Sequence, residues 1–299
     1  MMYVRSKLFK SQLIIQALLL SLYLLADWSQ TAEVVVAGLL LCSVGIPHGA
    51  NDYLYRKKRG RRGLLLFTLS YLGVMGLYAL IWWFLPLVAL AIFFAISFHH
   101  FGQSNFENER WSYPPSLLWG AWLLLLPVVI HWQEALGIFM QMTQTGEVDA
   151  VAAPTQSKFW QYASVAVIGA ANLIALWIYE RRSILPYTLQ LILIGIWYLS
   201  TPLLFGFVVV FSLWHSMQSL QHQIQHQKAE HGWTSGRFVI AMLPFGVAAL
   251  AGFGLYMWWR GFQLAEAFIL LSLITLPHVL IMHKLYEADD KLVDAHKHA

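Results

Sequence analysis

Four short histidine motifs hold the chemistry available to this sequence: Pro47-His48-Gly49-Ala50-Asn51-Asp52, His99-His100-Phe101-Gly102-Gln103, Trp214-His215-Ser216 and Pro277-His278. Each closes a long apolar segment. Neutral imidazole is the commonest protein ligand for iron, copper and zinc. Histidines scattered along a sequence but gathered in space are the pattern of a metal site inside a membrane. The sequence has no convincing Ser/His/Asp arrangement and no close pair of membrane carboxylates, so nucleophilic and acid–base chemistry are not indicated.

The elements that must position these histidines are transmembrane helices. The chain is 59% hydrophobic and 11% charged, with mean hydropathy +0.58, whereas roughly 25% of an average soluble domain is charged. Its 14 Trp, 13 Tyr and 18 Phe crowd the ends of apolar runs, where interfacial aromatic belts sit. A helix needs about 20 apolar residues to cross a bilayer core, and fewer where protein shelters it. Runs at about 12–26, 32–47, 64–85, 86–100, 116–131, 158–179, 184–200, 202–217, 238–258 and 263–281 predict an all-α bundle of about ten helices (eight to ten). They form a single membrane domain over residues 1–299, with a polar cytoplasmic tail at 284–299. Breaks are expected at Leu85-Pro86 and Ser200-Thr201-Pro202, because the residue before proline is pushed out of the helical region.

Charge sets the expected orientation. Arg56-Lys57-Lys58-Arg59-Gly60-Arg61-Arg62, Arg181 with Arg182, and Lys228 with Arg237 occupy one set of loops. Asp27, Glu33, Glu134, Glu147 and Asp149 occupy the other. By the positive-inside rule both termini are cytoplasmic, and all four histidine motifs then fall at cytoplasmic ends of spans. Helix C-termini carry partial negative charge, which favours a cation there. The net charge of +4 and pI near 9.1 are explained by these membrane-flanking residues, and no nucleic-acid module is visible. No small-residue cleavage site follows the first apolar run, so an uncleaved first helix is expected. Cys42, the single cysteine, reads as a small core residue.

The histidines differ in promise. A lone histidine near a helix end is more often a hydrogen-bonded residue than a ligand, so the weight rests on the four motifs together. His99 and His100 diverge by about 100° on a helix; His100 is the candidate and His99 the structural neighbour. Asp52, four residues after His48, is placed to accept the second ring N–H of a ligating histidine. His222 lies ~10 Å along the helix axis from His215, so one ion cannot easily take both. With His226 it falls in the Gln218–Gln227 stretch, a polar helix extension. His131, His231, His296 and His298 sit in loops or the tail without a visible partner, and His283 is undecided.

These residues resemble the Brp/Blh family of integral-membrane β-carotene 15,15′-dioxygenases in order, spacing and side. The resemblance is carried by Pro47-His48-Gly49-Ala50 with Asp52, His100-Phe101-Gly102, His215-Ser216 and Pro277-His278. It implies oxidative cleavage of β-carotene with O2 to retinal, at non-haem Fe(II) held by His48, His100 and His215. Two positions depart from the family pattern. Ser219 stands where a second histidine often follows the match to His215, and Asn105 where an acidic residue often follows His-Phe-Gly. The fourth ligand is then His278 by first choice and His222 by second. The expected substrate is an apolar polyene arriving from the bilayer, and aromatics such as Phe98, Phe207, Phe211 and Trp214 lie in spans that could wall its tunnel. The alternatives are a histidine-box di-iron oxidase, whose His-x-x-x-His and His-x-x-His-His spacings are absent, and a non-enzymatic transporter or a haem- or metal-binding carrier.

Overall fold

The computed structural model describes residues 7–56, 60–108, 110–144 and 157–297, with side chains through residue 287. Lys57, Lys58 and Arg59 of the basic block, Glu147, Asp149, His298 and the side chain of His296 lie outside the described residues. The described chain is helical, with no strand among the described residues.

In order the helices are α1 (Lys7–Leu25), α2 (Gln30–Leu40), α3 (Pro47–Ala50), α4 (Gly60–Phe84), α5 (Pro86–Phe106), α6 (Pro114–Ile130), α7 (Trp132–Thr143), α8 (Lys158–Tyr179), α9 (Ile184–Ser200), α10 (Leu203–Val210), α11 (Met217–His231), α12 (Ser235–Arg260) and α13 (Leu264–Lys297). Two π-helical turns, Leu41–Gly45 and Phe211–Ser216, join α2 to α3 and α10 to α11. Local chemistry sets several ends. The hydroxyl of Ser29 accepts from the Ala32 N–H at 3.2 Å to start α2, and Thr234 accepts from Arg237 N–H at 3.2 Å to start α12, the usual way a first-turn donor is satisfied. Gly261, at φ 76°, ends α12.

Among the described residues, nine helices are long and apolar enough to cross a membrane, or ten if the bent pair α6 and α7 counts as one span. The breaks after residue 84 and after residue 200 fall beside the prolines that forecast them. The span expected over 202–217 continues as helix to His231, in keeping with the helix extension read for its Gln-rich stretch. Two segments differ from expectation. The span expected to end near residue 131 turns by 103° into α7, where Pro127 lacks a donor and His131 leaves helical geometry (φ −109°, ψ 43°). The one expected over 32–47 continues through the histidine motif to Tyr55.

The helices group into two compact units: residues 1–45, 98–137 and 148–218 in the first, and 46–97, 138–147 and 219–299 in the second. The chain passes from one to the other inside continuous helices, after Gly45, Ser97 and Gln218.

In the first unit, α5 and α6 cross with backbones in contact. A Cβ on Gly102 would overlap the backbone of Ser116, and one on Gly120 would overlap the backbone of Phe98. Small residues at such crossings substitute for the hydrophobic drive that lipid does not provide. Trp119 packs edge to face on both Phe106 and Tyr187 beside this crossing, and those two rings are tilted against each other. His131 has a partner that the sequence did not reveal: its Nε2 is 3.1 Å from the carbonyl of Tyr198.

In the second unit, α4 packs on α13 through the indole of Trp82, which donates to Ser272 Oγ at 2.8 Å. α12 packs on the segment after α3: Tyr53 stacks on Phe245 at 3.8 Å between centroids and donates to the Ala241 carbonyl at 2.6 Å. The Gln-rich stretch of α11 is more than a solvated extension, because Ser219, Gln223 and Gln227, four residues apart, form a buried face.

The α5–α6 crossing generates a prediction. Overpacking costs about 1–3 kcal/mol, more where backbone must move, so Gly102→Val and Gly120→Val should each abolish the monodisperse peak on fluorescence-detected size exclusion. Gly38→Val, at a position with open space around it, should elute as the parent does. A normal profile for Gly102→Val would show that the close crossing is dispensable.

Candidate metal centre

His48 is delivered by a continuous helix with a loosened turn in it. α2 runs into the π-turn Leu41–Gly45, and Pro47 then opens α3 at a position that needs no N–H donor. His48 is buried, and its backbone carbonyl accepts from Gln223 Nε2 at 3.2 Å. The same amide donates to Ser219 Oγ at 3.0 Å.

His100 and His215 come from α5 and from the second π-turn. Both are 1% exposed, and their rings meet edge to face at 4.8 Å. Phe101 lies flat on the His215 ring, 4.0 Å away at 9°. His99 points elsewhere and stacks on Trp111 at 4.0 Å, the divergence expected of helix neighbours.

The Ser104 hydroxyl fixes the tautomer of His215. Ser104 Oγ is 3.0 Å from the Phe101 carbonyl and 3.0 Å from His215 Nδ1. A hydroxyl has one proton, and the carbonyl can only accept. The hydroxyl therefore donates to Phe101, and His215 Nδ1–H donates to the hydroxyl. That leaves Nε2 with its lone pair, the form that binds a metal.

A parallel arrangement holds His278. Its Nδ1 lies 2.8 Å from Asp52 Oδ1, and Tyr71 donates to Asp52 Oδ2 at 3.1 Å. Both His278 and Asp52 are buried. The proton on Nδ1 is shared with the carboxylate, so Nε2 is again the lone-pair atom. The His278 ring stands edge to face on His48 at 5.1 Å. Asp52 thus serves His278, from a distant helix, and not His48 one turn away.

The first unit thus presents His100 and His215 together, and the second presents His48 beside His278. Paired buried imidazoles in an apolar bundle are donors suited to a divalent transition metal, and His215 and His278 each have the outer hydrogen bond that such ligands use for orientation. His222 is turned away and stacks on Tyr286 at 4.2 Å. Asn105, the second departure from the family pattern, accepts from Gln190 Nε2 at 3.2 Å and Gln218 Nε2 at 2.8 Å. It ties α5, α9 and α11 beside the site.

Sequence reasoning overlooked Ser104 and Gln223. Each had a signal. Ser104 is one helical turn after His100, and Gln223 is one helical turn after Ser219, on the same helix face. Polar groups inside membrane segments usually have a function.

An orienting residue of this kind typically contributes about 10–100-fold in metal affinity or activity. Ser104→Ala should therefore weaken binding of added Fe(II) about tenfold without loss of membrane insertion, and Asp52→Asn should do the same through His278. Anaerobic metal titration of the detergent-purified variants measures both. Wild-type affinity in Ser104→Ala would remove the tautomer argument.

Comparisons with known proteins bear on the family. The β-carotene 15,15′-dioxygenase family model matches residues 39–286, a stretch that includes all four histidine motifs. The chain is 26% identical over 283 residues to a β-carotene 15,15′-dioxygenase from an uncultured marine bacterium (66A03), covering 87% of this chain and 94% of that protein. It is 25% identical over 284 residues to a probable β-carotene 15,15′-dioxygenase Blh of Halobacterium salinarum, covering 80% of each. No solved structure matches. With all four histidine motifs inside the matched region, the chain belongs to the β-carotene 15,15′-dioxygenase family.

Proposed function

We propose that this membrane protein cleaves β-carotene, or a related carotenoid, with O2 to give retinal, at one non-haem Fe(II) held by His48, His100 and His215 with His278 as fourth ligand. The single observation that carries the reading is the pairing of buried histidines, His100 with His215 and His48 with His278, in a chain that belongs to the β-carotene 15,15′-dioxygenase family. The atoms balance without an added reductant. The central C=C bond and the O–O bond break, two C=O bonds form, and both oxygen atoms end in retinal.

Bound Fe(II) would supply O2 activation at an open coordination position. The chain's own residues do the rest. Ser104 and Asp52 keep the Nε2 lone pairs of His215 and His278 available. Phe101 shields one face of the His215 ring from other molecules, and the apolar surroundings exclude water that would intercept reactive species. Gln223 restrains the backbone at His48. The chain needs no acid–base residue of its own for this stoichiometry. The charge pattern favours both termini and the metal site on the cytoplasmic side.

His278 is preferred over His222 because its ring faces His48 and its Nδ1 is committed to Asp52, while His222 is stacked away. Ser219 is engaged by Gln223.

Expression in cells that accumulate β-carotene, followed by extraction and chromatography, tests the activity. Retinal should appear with the wild-type chain, and carotene should remain uncleaved with His48→Ala, His100→Ala or His215→Ala at matched membrane levels. Carotene left intact by the wild type would overturn the reading. The fourth ligand is tested by iron affinity: His278→Ala should lose iron, and Ser219→His should be neutral or mildly harmful. Undiminished iron in His278→Ala, with tighter iron in Ser219→His, would reverse that assignment.

A further inference from the structure

The family model begins at residue 39, so the first helix lies outside it. That helix nevertheless grips the segment that presents His215, and all the contacts fall within the first unit. Gln12, 4% exposed, donates from Nε2 to the carbonyl of Leu213 at 2.7 Å. Phe9, three residues earlier on the same helix face, packs its ring against Trp214 at 5.8 Å. Leu213 and Trp214 are the two residues before His215, inside the π-turn Phe211–Ser216.

A π-turn inserts one residue into the α ladder, so its pairing shifts from i+4 to i+5 and the turn is wider and less regular. Backbone groups in such a turn need outside partners, and a membrane interior provides no water as a substitute. A buried primary amide is itself unfavourable unless hydrogen-bonded. The burial of Gln12 in α1 is therefore explained by the bond it makes to this turn.

We propose that Gln12 is a positioning residue for His215: its hydrogen bond to the Leu213 carbonyl holds the π-turn in register and so aims the imidazole. This rests on the reading of His215 as a metal ligand. Ser104 fixes which nitrogen of the ring has its lone pair, and Gln12 fixes where the ring's backbone stands. The two effects are separable by experiment.

The test uses full-length, detergent-purified protein and Co(II) alone as the probe, since Co(II) bound to imidazoles has a visible spectrum. Gln12→Met keeps the length of the side chain and removes the donor. It should weaken Co(II) binding about tenfold, the lower end of the range for residues that orient a ligand, and shift the visible bands. In metal-free protein, backbone amides of residues 211–217 should exchange faster in Gln12→Met than in wild type, a readout independent of the metal. Gln16→Leu, which removes the other buried amide of α1, should match wild type in both measurements. Should Gln12→Met fail to insert, Gln12→Asn, which withdraws the amide by one carbon, is expected to show the same losses. Unchanged Co(II) affinity, spectrum and exchange in the Gln12 variant would overturn the proposal while leaving the ligand reading intact. Equal losses in Gln16→Leu would also overturn it. A wild-type protein that takes up no Co(II) would remove the ligand reading and this proposal together.

Discussion

An imidazole inside an apolar helix bundle has two ring nitrogens to satisfy and no water with which to do it. Most of the site's construction follows from that constraint. At two of the four histidines one nitrogen is given to the protein, which leaves the other for a metal. His215 gives its Nδ1 to Ser104 and His278 gives its Nδ1 to Asp52. The carboxylate in turn accepts from Tyr71, because a buried carboxylate needs further hydrogen bonds for its remaining lone pairs. The polar residues gathered here are thus members of short, closed chains of hydrogen bonds.

Those chains need their helices placed closely, and the backbone provides this in two ways. Gly102 and Gly120 allow α5 and α6 to touch main chain to main chain, which fixes the helix bearing both His100 and Ser104. The two π-turns, each within a few residues of a candidate ligand, turn His48 and His215 away from the direction a regular α-helix would give them. π-turns are frequent at functional sites for this reason. Gly45, the last residue of the first π-turn, packs against Phe211 and Ser212 of the second, so the two irregularities support each other.

Much of the fold was legible in the sequence because length and hydropathy decide it. The helix breaks beside Pro86 and Pro202 and the run of apolar spans follow from local rules. Helix α7 did not, since twelve residues that include Glu134 and several glutamines or polar neighbours are too short and mixed to read as a span. The π-turns were also invisible, because Leu41–Gly45 and Phe211–Ser216 have the composition of ordinary apolar helix. Asp52 shows the limit of spacing arguments within the site. One-turn spacing pointed to His48, whereas the bond forms to His278, 226 positions away in sequence. The Gln-rich stretch of α11 reads in sequence as a polar helix extension because its glutamines lie past the apolar run; only packing shows that Ser219, Gln223 and Gln227 are enclosed.

The account's central claim is a single mononuclear site, and metal stoichiometry tests it most directly. Protein purified anaerobically after iron loading should contain about one iron per chain, with no Soret band in its visible spectrum, because three or four histidines form one coordination shell and are too few for a di-iron centre. Two irons per chain, or a haem spectrum, would contradict it.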